Sequence, residues 1–228
     1  MTFINQLFDF FLPRFCPSCI NKLNADESFV CTACLSKLKL ADDEFIHMEY
    51  KRKFANENII SDFHSLFVFE KGKEFQDIIH VIKYNENFRL GIFLGKLTAE
   101  NFKNKINAWQ PDCLIPIPLH HLKKAERGYN QSFYLAKGIS KIIGIPVFSN
   151  SMSRTRFTPS QTNLNLKERK ENIGGAFKLK DRSIIKGKKI ILVDDVITTG
   201  ATITECGKIL INHGAQKVFS ISAAIADL

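Results

Sequence analysis

Residues 190–202 read IILVDDVITTGAT, and this run constrains the fold more than any other stretch because three chemically different blocks follow one another without a spacer. The apolar residues 190–193 form a short run of the kind found in a parallel strand covered on both faces. Asp194 and Asp195 are expected to end it. Successive side chains on a strand point to opposite faces, so adjacent carboxylates belong where the chain leaves the sheet rather than in a core. Thr198, Thr199, Gly200, Ala201 and Thr202 follow. Their small side chains, with the backbone freedom of Gly200, leave successive N–H groups available to an anion. Ile203, Cys206, Ile209 and Leu210 then have the spacing of an amphipathic helix whose N-terminus points at the same anion. The plain alternative is an ordinary strand, turn and helix capped by Thr202.

Bare carboxylates repel phosphate but accept hydrogen bonds from hydroxyls, so acids beside an anion cradle suit a sugar phosphate. The loop holds no lysine and the chain has no G-x-x-x-x-G-K-[ST], which argues against a nucleoside-triphosphate loop. The whole run resembles the 5-phosphoribosyl 1-pyrophosphate (PRPP) motif of type I phosphoribosyltransferases.

A chain of 228 residues can bury one sizeable core plus a small appendage. The formal net charge of +9 favours anionic partners, either phosphorylated small molecules or nucleic acid. Much of the excess lies at residues 154–189, where eleven Lys or Arg face three acids. Phe3, Ile4, Leu7, Phe8, Phe11 and Leu12 have helical spacing, but Asp9 interrupts them and no basic segment precedes them, so a docked amphipathic helix is expected rather than a signal peptide. No apolar run approaches the roughly 18 residues of a transmembrane helix, so no membrane insertion is expected. The cytoplasm is the default location.

Cys16, Cys19, Cys31 and Cys34 form two C-x-x-C pairs with zinc-ribbon spacing, and two such knuckles complete a tetrahedral, structural metal site. Disulfides are the competing reading. Cys113 and Cys206 stand apart and read as small buried hydrophobes. The expected division is residues 1–45, an N-terminal helix and four-cysteine ribbon, followed by a main domain at 46–228, with 41–58 read as a polar linker.

The main domain reads as strands at residues 63–70, 113–117, 145–149, 176–179, 190–193 and 217–224, alternating with helices around 75–82, 89–105, 132–143 and 203–213. Such alternation implies an α/β fold with a mainly parallel sheet flanked by helices and ligands at the carboxyl ends of its strands. Lys83 and Tyr84 fall in the break between two helices, where the lysine either reaches a phosphate or ends a solvated helix. The strand exit at residues 116–121 is followed by Lys123, Lys124 and Arg127, a basic loop suited to anions. His120 and His121 are either acid–base groups or structural. Residues 154–172 read as a long basic loop interrupted by Pro159.

Four features, namely the paired cysteine knuckles, PIPLHHLKKAERGYNQ, the R-x-x-x-T-x-x-Q-x-x-L-x-x-x-x-R-x-x-N pattern and the PRPP motif, together resemble the competence protein F (ComF) family. The resemblance implies a type I phosphoribosyltransferase fold with a small N-terminal zinc ribbon holding structural Zn²⁺. It implies that Asp194 and Asp195 contact the ribose hydroxyls of PRPP or ribose 5-phosphate as the catalytic acids, while residues 198–202 hold the 5′-phosphate, with Mg²⁺ accompanying PRPP. His120, Lys123, Lys124 and Arg127 fall where related enzymes carry a pyrophosphate loop, although lysines stand where the family often has arginines. Arg154, Thr158, Gln161, Leu164, Arg169 and Asn172 match the flexible loop that closes over the substrate. Two functions follow: a competence accessory protein acting with a helicase and single-stranded DNA, or an active transferase joining phosphoribose to a nitrogen acceptor. No glutaminase motif is evident.

Overall fold

The apolar run at residues 190–193 lies inside a four-stranded, wholly parallel sheet, and each of its four residues is fully buried. The computed structural model describes residues 13–84, 87–157 and 173–227. The expected helix at residues 3–12, together with Thr158, Gln161, Leu164, Arg169 and Asn172, lies outside them. In chain order the elements are α1 (Thr32–Leu35), α2 (Asp43–Lys53), β1 (Asp62–Phe69), α3 (Glu74–Tyr84), α4 (Phe88–Trp109), β2 (Cys113–Pro116), α5 (His121–Arg127), α6 (Gln131–Ile143), β3 (Met152–Arg154), β4 (Phe177–Leu179), β5 (Lys189–Ile197), α7 (Ala201–Asn212) and β6 (Lys217–Ala226). The sheet order is β1-β6-β5-β2, and β3 pairs antiparallel with β4 in a separate ribbon.

Side-chain alternation along β5 divides the core. Ile191 and Val193 face the layer built by α3, α4 and α6, whereas Ile190 and Leu192 face the layer containing α7 and Phe54. The strand does not stop at Asp194, as the acid pair suggested, but continues to Ile197. The reason is unequal partners: pairing with β2 ends at Pro116 and Val193, while β6 still matches Asp194 to Ser222 and Ile197 to Ile225. The two acids therefore stand on an extension that is hydrogen-bonded on one side and open on the other.

Three further expectations are corrected. Residues 145–149 make only a bridge, Val147 to Leu114, because Pro146 accepts from the Leu114 N–H at 2.9 Å but has no N–H with which to extend the ladder. The basic stretch after His120 is the helix α5, closed by Gly128 at φ +74°. The segment read as a linker contains α2, whose N-cap Asp42 accepts from the Phe45 N–H at 2.8 Å. This helix gives little apolar periodicity because one of its inward groups is charged. The buried Glu49 pairs with Lys53 at 2.8 Å and Arg52 at 2.7 Å.

The four-cysteine segment is fastened to the main core rather than hung beside it. Lys39 O accepts from the Val68 N–H at 2.8 Å, Leu66 O accepts from the Ala41 N–H at 3.0 Å, and Phe29 meets Phe93 of α4 at 5.6 Å. Cys16, Val30 and Leu38 share one apolar cluster with Leu66, Phe75 and Leu94.

Close helix packing sets the position of α6, which reaches the acid pair. A Cβ on Gly138 would lie 2.2 Å from Ile92 O, and one on Gly95 would lie 2.1 Å from Leu135 O, so neither helix backbone leaves space for a side chain. Gly138→Val is expected to destabilise the fold by about 3 kcal/mol, near the upper end of ordinary overpacking. Urea unfolding checks this, and an unchanged midpoint would contradict the packing argument.

Candidate functional site

The site begins where β5 outlasts β2. Asp195 is buried and Asp194 is partly buried at the open edge. Asp194 Oδ1 accepts two hydrogen bonds, from Ser132 Oγ of α6 at 2.9 Å and from the Asp195 N–H at 3.0 Å. Lys83, at the end of α3, places Nζ 3.3 Å from Asp195 Oδ2. Burial pushes the Asp194 carboxyl well above the ordinary carboxylate range, and the adjoining Asp195 charge adds to that shift. Burial acts on Asp195 in the same sense, but the Lys83 ammonium, the bonds shared with Asp194 and the Arg127 charge outweigh it and hold Asp195 below its ordinary value. The proton affinities of the two adjacent carboxyls are thereby driven apart.

Residues 198–202 span the turn after β5 and the start of α7 and line, with Asp194 and Ile173, a small cavity of about 40 Å³. Gly200 is the N-cap of α7 at φ +78°, and no side chain caps this helix, in contrast to α2, α4 and α6 with their Asp42, Asn87 and Asn130 caps. The Thr202 and Ile203 N–H groups lie in the first turn, ahead of the first intrahelical bond from the Thr204 N–H to Gly200 O at 2.9 Å, while Thr199 Oγ1 accepts from the Ala201 N–H at 3.3 Å. Thr202 does not cap the helix. Behind the turn stands Phe54: a Cβ on Gly200 would lie 2.8 Å from its Cε1.

The basic residues divide. The Arg127 charge acts on Asp195, and Arg154 lies near enough to Asp194 to feel that carboxyl's charge. Asn130 ties the start of α6 to the exit of β2 by donating to Ile117 O at 2.9 Å. His120 is buried, its Nδ1 caps α5 by accepting from the Leu122 N–H at 3.4 Å, and burial with the surrounding His121, Arg154 and Lys123 charges lowers its proton affinity. Its position is that of a neutral structural group. Lys123 lies 5.9 Å from the centre of the Phe157 ring. Lys124 instead borders a second cavity of about 490 Å³ with Pro116, Tyr129, Phe133, Arg154 and Lys180, which contains neither acid nor any of residues 198–202. Ser132 and Phe54 carried no signal in the sequence, and Lys83 was visible only as a lysine in a helix break.

At the other end of the chain, the sulfurs of Cys16, Cys19, Cys31 and Cys34 all lie within 4.8 Å of one another, with Cys19 and Cys31 3.7 Å apart. That separation is too long for a disulfide. It matches the edge of a tetrahedron of thiolates about 2.3 Å from a central ion, which is about 3.8 Å. Burial pushes the Cys34 thiol up to about 12, so four ionised sulfurs at this spacing require a cation. The cluster could hold one metal ion. Glu27 ties the second knuckle to the loop between the pairs by accepting from the Asn24 and Thr32 N–H groups at 2.8 and 2.6 Å. Cys113 and Cys206 are fully buried free thiols away from this cluster.

Residues 129–226 match the family described as phosphoribosyl transferase domain. Among solved structures, an adenine phosphoribosyltransferase aligns with a TM-score of 0.41 and 15% identity over 68% of this chain and 77% of that one. The matched region holds the inner strand, the acid–glycine turn and the parallel sheet's C-terminal half, an α/β architecture that fits a phosphoribosyl transferase domain, and a four-cysteine segment precedes it. Among curated proteins the chain is similar to competence protein F and to DNA utilization protein YhgH. Competence protein F of Haemophilus influenzae is 37% identical over 145 residues, 62% of this chain and 63% of that protein. DNA utilization protein YhgH of Shigella flexneri is 31% identical over 144 residues, again 62% of this chain and 63% of its own length. The chain therefore spans just under two thirds of the relatives it matches.

Proposed function

We propose that this protein is a ComF-like competence accessory protein whose phosphoribosyltransferase domain binds PRPP or ribose 5-phosphate and which supports uptake or processing of transforming single-stranded DNA. The observation that carries the ligand assignment is the juxtaposition of an acid pair, held by Ser132 and Lys83, with a helix N-terminus that no side chain caps. Asp194 and Asp195 would meet the ribose hydroxyls, one as donor and one as acceptor, and residues 198–202 would hold the 5′-phosphate. Arg127 and Arg154 would face the pyrophosphate, joined by Lys123 and by the loop bearing Thr158, Gln161, Arg169 and Asn172. His120 supports this wall by capping α5, and Lys124 supplies charge on its far side. Mg²⁺ would accompany PRPP and bridge charge that the acids otherwise repel. Zn²⁺ would be held by Cys16, Cys19, Cys31 and Cys34 as a structural ion. Titration calorimetry with PRPP and Mg²⁺ tests the reading, and the expected result is saturable binding that Asp195→Asn weakens at least tenfold.

The competence role rests on the names of the relatives, together with the basic stretch at 154–189. Among the described residues no helix is long and apolar enough to cross a membrane; action in the cytoplasm is part of the proposal. Arg154 and Arg156, with Arg169 and Lys170, would contact single-stranded DNA weakly and without sequence preference, either alone or beside a competence helicase. Affinity should fall with salt at a logarithmic slope near −0.7 per phosphate contacted. Phe157, 44% exposed, is the one aromatic in the stretch 154–172, so base stacking should add little. Labelled oligonucleotide titrated at several salt concentrations, with and without PRPP, checks this. PRPP should weaken DNA binding, and DNA should weaken PRPP binding by the same factor. Salt-independent binding sinks direct contact and leaves a partner-protein role.

A second reading is favoured by the intact acid pair: a working transferase in which a nitrogen nucleophile displaces pyrophosphate from C1 of PRPP. Pyrophosphate release across a panel of nitrogenous bases separates it from a purely binding domain.

A further inference from the structure

The C-terminus of α3 is held against the acid pair by three contacts of different kinds. Lys83 Nζ is 3.3 Å from Asp195 Oδ2. Tyr129 donates its hydroxyl to Ile82 O. The Arg127 guanidinium lies over the Tyr84 ring, 5.7 Å from its centre. Asp195 Oδ2 is fully enclosed and accepts no hydrogen bond from the described residues, so the Lys83 ammonium is its nearest compensating charge.

We propose that Lys83 is a positioning residue of the sugar-phosphate site: it keeps Asp195 a carboxylate aimed at the hydroxyls of a phosphorylated pentose, and it cancels charge that would repel the ligand's phosphates. The inference rests on reading this site as a sugar-phosphate site. The groups facing Asp195 are Lys83 from α3, Arg127 from the end of α5 and Asp194 from β5, while Arg154 of β3 faces Asp194. Two adjacent carboxyls cannot both ionise cheaply, and here proton affinity is raised at Asp194 and lowered at Asp195. A vicinal diol matches that arrangement, since each hydroxyl can donate to a carboxylate or accept from a carboxylic acid. Without Lys83, burial would act on Asp195 with only the bond shared with Asp194 and the Arg127 charge to oppose it, and Asp195 would take up a proton at higher pH.

The sign of the pH effect follows. In the wild type Asp195 stays ionised from pH 6 to 8.5, so its charge contributes to binding throughout. In Lys83→Met its proton is lost only at higher pH, so affinity for ribose 5-phosphate and for PRPP with Mg²⁺ should be at least tenfold weaker at pH 6, with the deficit shrinking as pH rises. Lys83→Arg should recover most of the affinity. Lys83 is 26% exposed at a helix end, so Lys83→Met should fold, and Lys83→Gln provides a second charge-free variant. Calorimetry at several pH values gives the affinities, and carbon-13 titration of the Asp195 carboxyl without ligand gives its protonation midpoint, expected to move upward in both charge-free variants. Equal affinity, or a deficit constant with pH and an unmoved midpoint, overturns the proposal. Wild-type protein that binds neither ligand overturns the sugar-phosphate reading, and the ligand-free titration then still decides whether Lys83 governs the charge of Asp195.

Discussion

Gly200→Val is expected to abolish measurable PRPP binding while leaving most of the fold intact. Two costs coincide at this position. The backbone sits at φ +78°, a left-handed conformation that costs a residue with a side chain roughly 1–2 kcal/mol and a β-branched one more. The new Cβ would also fall 2.8 Å from Phe54 Cε1, and Phe54 is 1% exposed and packed against Phe63 at 5.2 Å, so the ring has nowhere to retreat. The turn must move instead, carrying the N–H groups of Thr202 and Ile203 away from the phosphate. Charge-assisted hydrogen bonds contribute roughly 1.5–3 kcal/mol each, so misplacing two corresponds to a loss of about a hundredfold or more in affinity. Pairing Gly200→Ala with Phe54→Leu should relieve the collision and leave the backbone strain, giving an intermediate affinity. Unchanged calorimetric affinity in a folded Gly200→Val protein would place the ligand elsewhere.

Loss of the metal is expected to have the larger effect on stability. Protein purified without chelator should carry about one zinc ion, and Cys34→Ser should abolish stoichiometric binding and unfold the segment around residues 13–38. Structural zinc contributes on the order of 10–16 kcal/mol in small peptides, comparable to the roughly 5–15 kcal/mol total stability of a domain. The damage should not stop at the knuckles, because Val30 and Leu38 lie in one apolar cluster with Leu66 and Leu94, and Lys39 and Ala41 hydrogen-bond to the edge of β1. A lowered melting temperature and increased binding of an apolar dye are the expected readouts. Elemental analysis showing no zinc would remove the metal assignment, and an unchanged melting temperature in zinc-free protein would confine the ion to a local role.

Features encoded within a few residues were readable in the chain. The run at 190–193 is buried on both faces because four consecutive apolar residues admit no polar face. The elements at 75–82, 89–105 and 132–143 follow from apolar spacing and appear as α3, α4 and α6. Where the determinant was not apolar, the pattern misled. The helix α2 was hidden because its inward Glu49 is satisfied by Lys53 and Arg52, which from the sequence look like solvated charges. The strand at 145–149 failed for a converse reason: its residues suit a strand, but Pro146 cannot donate to the ladder.

The sequence by itself determined the four cysteines, the acid pair and the glycine turn, since C-x-x-C spacing and a strand-to-helix turn are both short-range patterns. Tertiary structure alone decided how the two acids differ. Asp194 and Asp195 are adjacent and chemically identical, and they differ only because Ser132, 62 residues away, donates to one while Lys83, on another helix, stands beside the other. A carboxyl's proton affinity is set by burial and by charges within a few ångströms, whatever their distance along the chain, and that information comes into existence only when α3, α6 and β5 pack together.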